Sequence, residues 1–342
     1  MGGWVWTSQS TSSLLKRAFS FYATLTRSRS AGGSGLNERR YRLTDFFPVP
    51  SVGNVTIYCP GAGTSVPFTA LMTDRIANRH LSGAGSGGHV FARYRYEPVD
   101  DEPGTLDLNS IGAVGNEVID GYRRIDNITD EALARFKAAY PHDQITKDDI
   151  FFYVYGLLHS PEYRETYAAD LKKSLPRIPF VRDFRTSTDA GRKLSELHLG
   201  YESVTPYPLD GLDQEPSGDP YAFYAVGDKK MRFGRPTAEQ KAAGLRHDRS
   251  VIHYNERITL SGIPEGAYRY QLGARSAIEW IIDRYYVKTD KASGIVNDPN
   301  EWSREVGDPR YILDLLARVV TVSIETMRIV DSLPALEIRE EQ

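Results

Sequence analysis

The residues that follow Thr146 constrain this chain most. Ile150, Phe151, Val154, Tyr155 and Leu158 recur at helical spacing, and Phe152, Tyr153 and Leu157 between them leave scarcely any polar face. A helix that is apolar nearly all round is stable only when other elements surround it, so this stretch predicts a deeply buried helix with a domain built about it. The neighbouring residues predict its packing partners. Thr129 caps a helix through Leu133, Phe136 and Tyr140, and Thr146 caps the buried one. Ser160 followed by Pro161 opens a third that runs to about Lys173, before Pro176 and Pro179 break the chain. A fourth, over 187–199, stops at Gly200, the residue type a helix C-terminus prefers. Together these make a helical block over 129–200.

The flanks read differently. Residues 38–100 hold short runs rich in β-branched and aromatic residues, 55–58 and 90–96, bounded by Pro and Gly as strands are, with a short helix expected over 68–76. Residues 101–128 form a glycine-punctuated excursion. Beyond the helical block, 203–222 reads as a long surface loop, and 229–233 and 251–260 alternate as strands. In the latter, Ile252, Tyr254, Ile258 and Leu260 share one face and His253, Asn255, Arg257 and Thr259 the other; Asn255-Glu256 is alternatively a hairpin turn. An amphipathic helix is expected over 275–286 through Ile278, Ile281 and Ile282, and Asp308-Pro309 starts a long last helix through Ile312, Leu316, Val319, Met327 and Val330. No internal repeat is present. The order of strands, helices, strands and helices predicts an α+β fold: mixed short β-sheets with a central helical block, 129–200, a loop and β part, 201–274, and a helical end, 275–336.

Residues 1–37 carry no acid and many serines, and close on Gly32-Gly33-Ser34-Gly35, so they are expected to be a flexible segment, either a transit peptide or a disordered start. Residues 337–342 are a tail. With 342 residues, 40% of them hydrophobic and 25% charged, the chain falls in the range of globular proteins of about two domains. No apolar run reaches the 18 or so residues that a membrane-spanning helix needs. Cys59 is the only cysteine, which excludes an intrachain disulfide and a four-thiolate zinc site, and makes a cytoplasmic setting the expectation.

Few groups carry recognisable chemistry. Strand residues 55–58 run into Gly61-Ala62-Gly63, as in a nucleotide loop, but no third glycine stands at dinucleotide spacing, no Gly-Lys-Ser/Thr follows, and Pro67 delays any helix. A plain turn is the simpler expectation, with a nucleotide or S-adenosylmethionine site as the rival. Residues 83–88 are a glycine-rich loop whose register does not fit a nucleophile elbow. His80, His89, His142, His159, His198, His247 and His253 show no metal-ligand spacing, and the acid pairs Asp100-Asp101, Asp148-Asp149 and Glu340-Glu341 stand where solvated or helix-start charges are expected. No catalytic, cofactor or metal residue is assigned.

Charge is the remaining signal. The formal net charge is only −3, yet residues 229–257 hold eight Lys and Arg against Glu239, Asp248 and Glu256. Cations on a strand pair and its loop suit phosphate positioning, and an arginine fork can also read a guanine edge. Lys230, Arg232 and Arg235 are the first candidates, with Arg257 and Lys288 behind them; the bland alternative is an ordinary solvated face.

Several longer stretches carry a resemblance. YRLTDFFPVP, PFTALMTDRIANRHL, FARYRYEP, ITKDDIFFYVYGLLHSPEYRETYAADLKKSLPRIPFV, KKMRFG, ITLSGIP, SAIEWIIDRYYVKTDKASGIVNDPNEW and DPRYILDLLARVVTVSIETMRIV resemble, in that order, the C-terminal specificity region of type ISP restriction-modification enzymes. The resemblance spans about 38–336. In those single-polypeptide bacterial proteins a nuclease, a helicase-like ATPase and an adenine-N6 methyltransferase precede this region, which recognises the DNA target. The resemblance implies a recognition module for double-stranded DNA. Its partners would be the methyltransferase and helicase parts of the same system, with no membrane and no cofactor of its own. The sequence holds no Gly-x4-Gly-Lys-Ser/Thr and no Asn/Asp-Pro-Pro-Tyr; Asn297-Asp298-Pro299-Asn300 lacks the paired proline and the aromatic. A truncated gene product with an unrelated start is therefore expected, and a folded remnant without binding is the third reading.

Overall fold

A computed structural model describes residues 43–77, 81, 87–99 and 117–339. Residues 1–37, His80, 83–86, Asp100-Asp101 and Glu340-Glu341 lie outside the described residues. The chain divides into two units, one ending at Leu199 and resuming at Ser332, the other running from Gly200 to Asp331. The whole is α+β, with small antiparallel sheets, a helical block and a long last helix.

Among the described residues, the first unit opens with a short helix, α1 (Leu43–Phe46), and two three-stranded sheets. In one, β1 (Thr56–Cys59) lies between β2 (Leu71–Thr73) and β3 (His89–Ala92), pairing Ile57 with both Met72 and Phe91. In the other, β4 (Tyr94–Pro98) and β5 (Val118–Ile119) flank β6 (Tyr122–Asp126), so part of the expected excursion is sheet. The helix expected over 68–76 is instead the edge strand β2. Pairing with β1 and the 2.9 Å hydrogen bond from the Met72 amide to the Tyr155 hydroxyl outweigh local helical preference in so short a segment. The run 90–96 breaks into two strands at Arg93, whose buried guanidinium pairs with Asp126 and, at 2.6 Å, with Asp148.

The capping residues act as expected. Thr129 accepts from the Ala132 amide to start α2 (Asp130–Ala139), and Thr146 forms a capping box with Asp149 at the start of α3 (Lys147–Leu157). Residues Ile150, Phe151 and Tyr153–Leu157 of α3 are buried. Ser160 caps α4 (Pro161–Thr166), but the chain kinks at Tyr167 into α5 (Ala168–Leu171), so the third helix is two. α6 (Phe184–Leu199) begins three residues before the expected start and crosses α3 with glycine against glycine. Phe136, Tyr140, Tyr153, Phe180 and Phe184 fill the space beside them, and the two tyrosine hydroxyls donate to Val181 and Pro179 carbonyls, each at 2.6 Å.

Two histidines meet inside this unit, His159 buried and His198 half-buried. The Tyr155 hydroxyl, already accepting from Met72, hydrogen-bonds the His198 Nδ1 at 2.6 Å, an arrangement that suits a neutral imidazole. His159 Nδ1 donates to the Tyr155 carbonyl at 2.9 Å. Burial, then the Arg164 charge, pushes His198 down to about 3, and burial holds His159 well below the usual imidazole range. Both rings protonate near pH 6.5 in the unfolded chain but stay neutral in the fold, so below that pH the unfolded state binds more protons and stability falls. Between pH 7 and pH 5 the loss expected from His198 is about 2 kcal/mol, and His159 acts in the same direction, so the urea midpoint falls. A midpoint constant over that range, or a drop that persists when His159 and His198 are both replaced by Gln, would contradict the assignment.

The second unit begins with a loop stapled to its sheet: Asp210 and Ser261 exchange amide-to-carbonyl hydrogen bonds of 3.1 Å. After α7 (Pro220–Tyr224) come β7 (Arg232–Gly234), α8 (Ala238–Ala242), β8 (Asp248–His253) and β9 (Thr259–Leu260), forming a sheet in the order β7-β8-β9. Residues 251–260 are thus two strands and a turn. Asn255 makes the turn by accepting from the Arg257 and Ile258 amides at 2.9 and 2.7 Å. Ile252, Tyr254, Ile258 and Leu260 are buried as the alternation predicts. A 3-10 turn (Glu265–Arg269) and the pair β10 (Gln271–Leu272) and β11 (Arg275–Ser276) lead to α9 (Ala277–Arg284), started by a Ser276–Glu279 capping box. The pair β12 (Lys288–Thr289) and β13 (Val296–Asn297), α10 (Asn300–Glu305) and α11 (Tyr311–Asp331) complete it. Among the described residues no helix is long and apolar enough to cross a membrane.

Candidate nucleic-acid interface

The β7-β8-β9 sheet has two unlike faces. Phe233, Ile252 and Leu260 stand in register on the inner one, while Arg232, His253 and Thr259 form the matching row on the outer one. His253 Nδ1 lies 2.9 Å from the Thr259 hydroxyl. Between β7 and β8 the chain carries Arg235, then α8 with Lys241, then Arg246 and His247. Thr237 and Gln240 close a capping box at the start of α8, which orders this connection although nothing in α8 is buried.

The eight cations of 229–257 separate into two groups. Lys230 pairs with Asp283 and lies 5.2 Å from the centre of the Tyr286 ring. Arg249 pairs with Glu279 at 3.0 Å and stacks on Tyr268 at 4.0 Å, Arg257 donates to the Ala222 carbonyl at 2.9 Å, and Lys229 stands 3.9 Å from Glu256. Burial pushes the Asp283 carboxyl up, but hydrogen bonds from Lys230 and Arg275 prevail and hold it below the usual range. Arg232, Arg235, Lys241 and Arg246 are exposed and make no ion pair among the described residues. Lys288, on β12, is likewise exposed and unpaired among them.

Of the five candidate residues, the structure therefore leaves Arg232, Arg235 and Lys288 open to an anion and ties Lys230 and Arg257 into the fold. Four open cations on one hairpin supply the field and the donors that a polyanion needs, and the three arginines among them add planar forks. Lys241 and Arg246 join this set. Their openness depends on where distant acids fall, and charge counting alone carries no such signal.

The rival loop is held by close backbone contacts. The Gly63 amide donates to the Lys172 carbonyl at 2.8 Å, and a Cβ at Gly61 would stand 2.0 Å from the Gly87 carbonyl oxygen. The chain then continues through Pro67 into β2, so the loop does not lead into a helix. Cys59 is buried in β1, and burial pushes its thiol up to about 12. Among the described residues no group of His, Cys, Asp and Glu could hold a metal ion.

Comparison with protein families matches residues 7–315 to the type ISP C-terminal specificity domain. The chain belongs to that family. The match begins at residue 7 and so takes in most of 1–37, which the resemblance over 38–336 leaves outside. Three solved structures are similar to this specificity domain. One is a nuclease-deletion mutant of the type ISP restriction-modification enzyme LlaGI in complex with a DNA substrate mimic, at 35% identity and a TM-score of 0.67. The others are the ATP-dependent type ISP enzyme LlaBIII bound to DNA, at 32% and 0.71, and a DrdV–DNA complex, at 35% and 0.68. Each covers 90% of this chain, which in turn spans only 20%, 18% and 27% of those chains. Comparison with curated proteins gives no match.

Proposed function

We propose that this type ISP specificity domain is a DNA-sequence-recognition module that binds double-stranded DNA and supplies no chemistry of its own. The observation that carries the reading is the likeness, at 32–35% identity over 90% of this chain, to enzymes whose solved structures contain DNA. The open arginines of the β7–β8 hairpin support it from within the chain. In this reading Arg232 and Arg235 contact phosphates or a guanine edge, Lys241, Arg246 and Lys288 contact phosphates, and Lys230 and Arg257 hold the scaffold. The bound duplex is then offered to the motor and methyltransferase parts of the same restriction-modification system.

The test is a selection. The purified full chain is mixed with a library of random duplexes, and the bound fraction is recovered through several rounds and sequenced. One asymmetric sequence is expected to dominate. Recovery of a library no different from the input would overturn the reading and favour a folded remnant.

A further inference from the structure

We infer that His253 reads the N7 edge of a purine in the major groove and that Thr259 holds its imidazole in place to do so; this rests on the DNA-binding reading above. The two stand in a row that the sheet itself lays out. Arg232 of β7 pairs in register with His253 of β8, which pairs in register with Thr259 of β9. Side chains paired in this way share a face, and here it is the face opposite buried Ile252 and Leu260. Two interstrand spacings of about 4.8 Å make the row about 10 Å long, within the width of about 12 Å that the major groove offers.

The middle of the row is fixed. Arg232 and Thr259 are exposed, and His253 between them is half-buried, with its Nδ1 2.9 Å from the Thr259 hydroxyl. No group among the described residues engages the second ring nitrogen, Nε2. Arg249 and Lys230 are held as well, but by Glu279 and Asp283, which occupy their charged ends. His253 differs from them in that what fixes it leaves a polar atom to offer.

That difference separates reading from gripping. A phosphate contact needs a charge within reach, and long side chains such as those of Lys241 and Arg246 supply it. A base contact needs a donor or acceptor whose direction is set before the DNA arrives, and an imidazole pinned at one nitrogen meets that demand. In this assignment the Thr259 hydroxyl donates to Nδ1, which leaves the hydrogen on Nε2 and makes that atom a donor. Beside it in the row, the Arg232 guanidinium carries donors alone. Adjacent donors are complementary to the acceptors that purines present in the major groove, N7 on both and O6 on guanine.

The experiment measures affinity for the duplex recovered by selection and for copies of it in which one purine at a time is replaced by its 7-deaza analogue, which keeps base pairing and lacks the N7 acceptor. Full-length wild type is expected to lose about two- to tenfold at one purine whose replacement H253A no longer senses. T259V keeps the shape of the side chain without its hydroxyl and should lose the same discrimination, whereas T259S should keep it. H253A/T259V should match H253A, because Thr259 acts through the ring. The salt slope should stay that of wild type throughout, since no phosphate contact is removed. A wild type indifferent to every 7-deaza replacement, or an H253A protein that responds as wild type does, would overturn the assignment and leave the DNA-binding reading standing. A response lost in H253A but kept in T259V would overturn the part given to Thr259. A wild type that binds no duplex would overturn both readings. The wild-type response needs no variant, and equal melting temperatures keep folding out of the comparison among the others.

Discussion

Replacing either Gly156 or Gly191 with alanine is expected to cost the first unit about 3 kcal/mol or more, although alanine is the better helix former by about 1 kcal/mol. A Cβ at Gly156 would stand 2.1 Å from the Ser187 carbonyl oxygen, and one at Gly191 1.9 Å from that of Phe152. Both obstacles are backbone, so no rotamer change relieves them and the helices α3 and α6 must part. α3 is the most thoroughly buried helix among the described residues of its unit, and separating it from α6 opens gaps beside Phe151, Tyr155 and Leu194. Thermal unfolding of the single variants should fall by roughly 10 °C, a loss large enough to lower the soluble yield. A midpoint equal to or above that of wild type would show that the crossing has slack and that helix propensity decides the outcome.

The second large effect is on binding. The R232A/R235A variant is expected to lose on the order of thirtyfold in affinity at 0.15 M salt, and about 1.8 units of log-log salt slope, if each arginine neutralises one phosphate. K230A is the informative control. Its ammonium is already committed to Asp283, which keeps Arg275 at 2.5 Å when Lys230 is gone, so the salt slope should not move and stability should change by less than about 1 kcal/mol for so exposed a pair. An arginine that reads a base rather than a phosphate reveals itself differently: it costs about 1–3 kcal/mol on the preferred sequence alone and relaxes preference at one position. Equal slopes for K230A and R232A/R235A would dissolve the division between tied and open cations.

What could be read in the sequence divides by range. The caps at Thr129, Thr146 and Ser160 act within three residues of themselves, and all three start helices where expected. The turn at Asn255 is equally local, and was open beside a continuous strand only because either choice buries Ile252 and Ile258. Three departures depend on distant partners. Residues 71–73 join a sheet because β1 presents an open edge. Arg93 splits an apparent strand because Asp126 and Asp148 wait 33 and 55 positions further on. Lys230 leaves the open set because of Asp283, 53 positions away. The same holds for the basic window: its excess of charge is countable in the sequence, but which cations remain unclaimed depends on the fold.

The central claim is that sequence recognition resides in this chain itself, and an equilibrium competition tests it most directly. Full-length protein is bound to the labelled duplex recovered by selection at fixed salt, then displaced by that duplex unlabelled and, separately, by random duplex. The account predicts that random duplex is needed at a concentration at least about a thousandfold higher, the span that separates specific from non-specific binding in sequence-reading proteins. Displacement by both at equal concentration would contradict it, reducing the open arginines to a general attraction for polyanions.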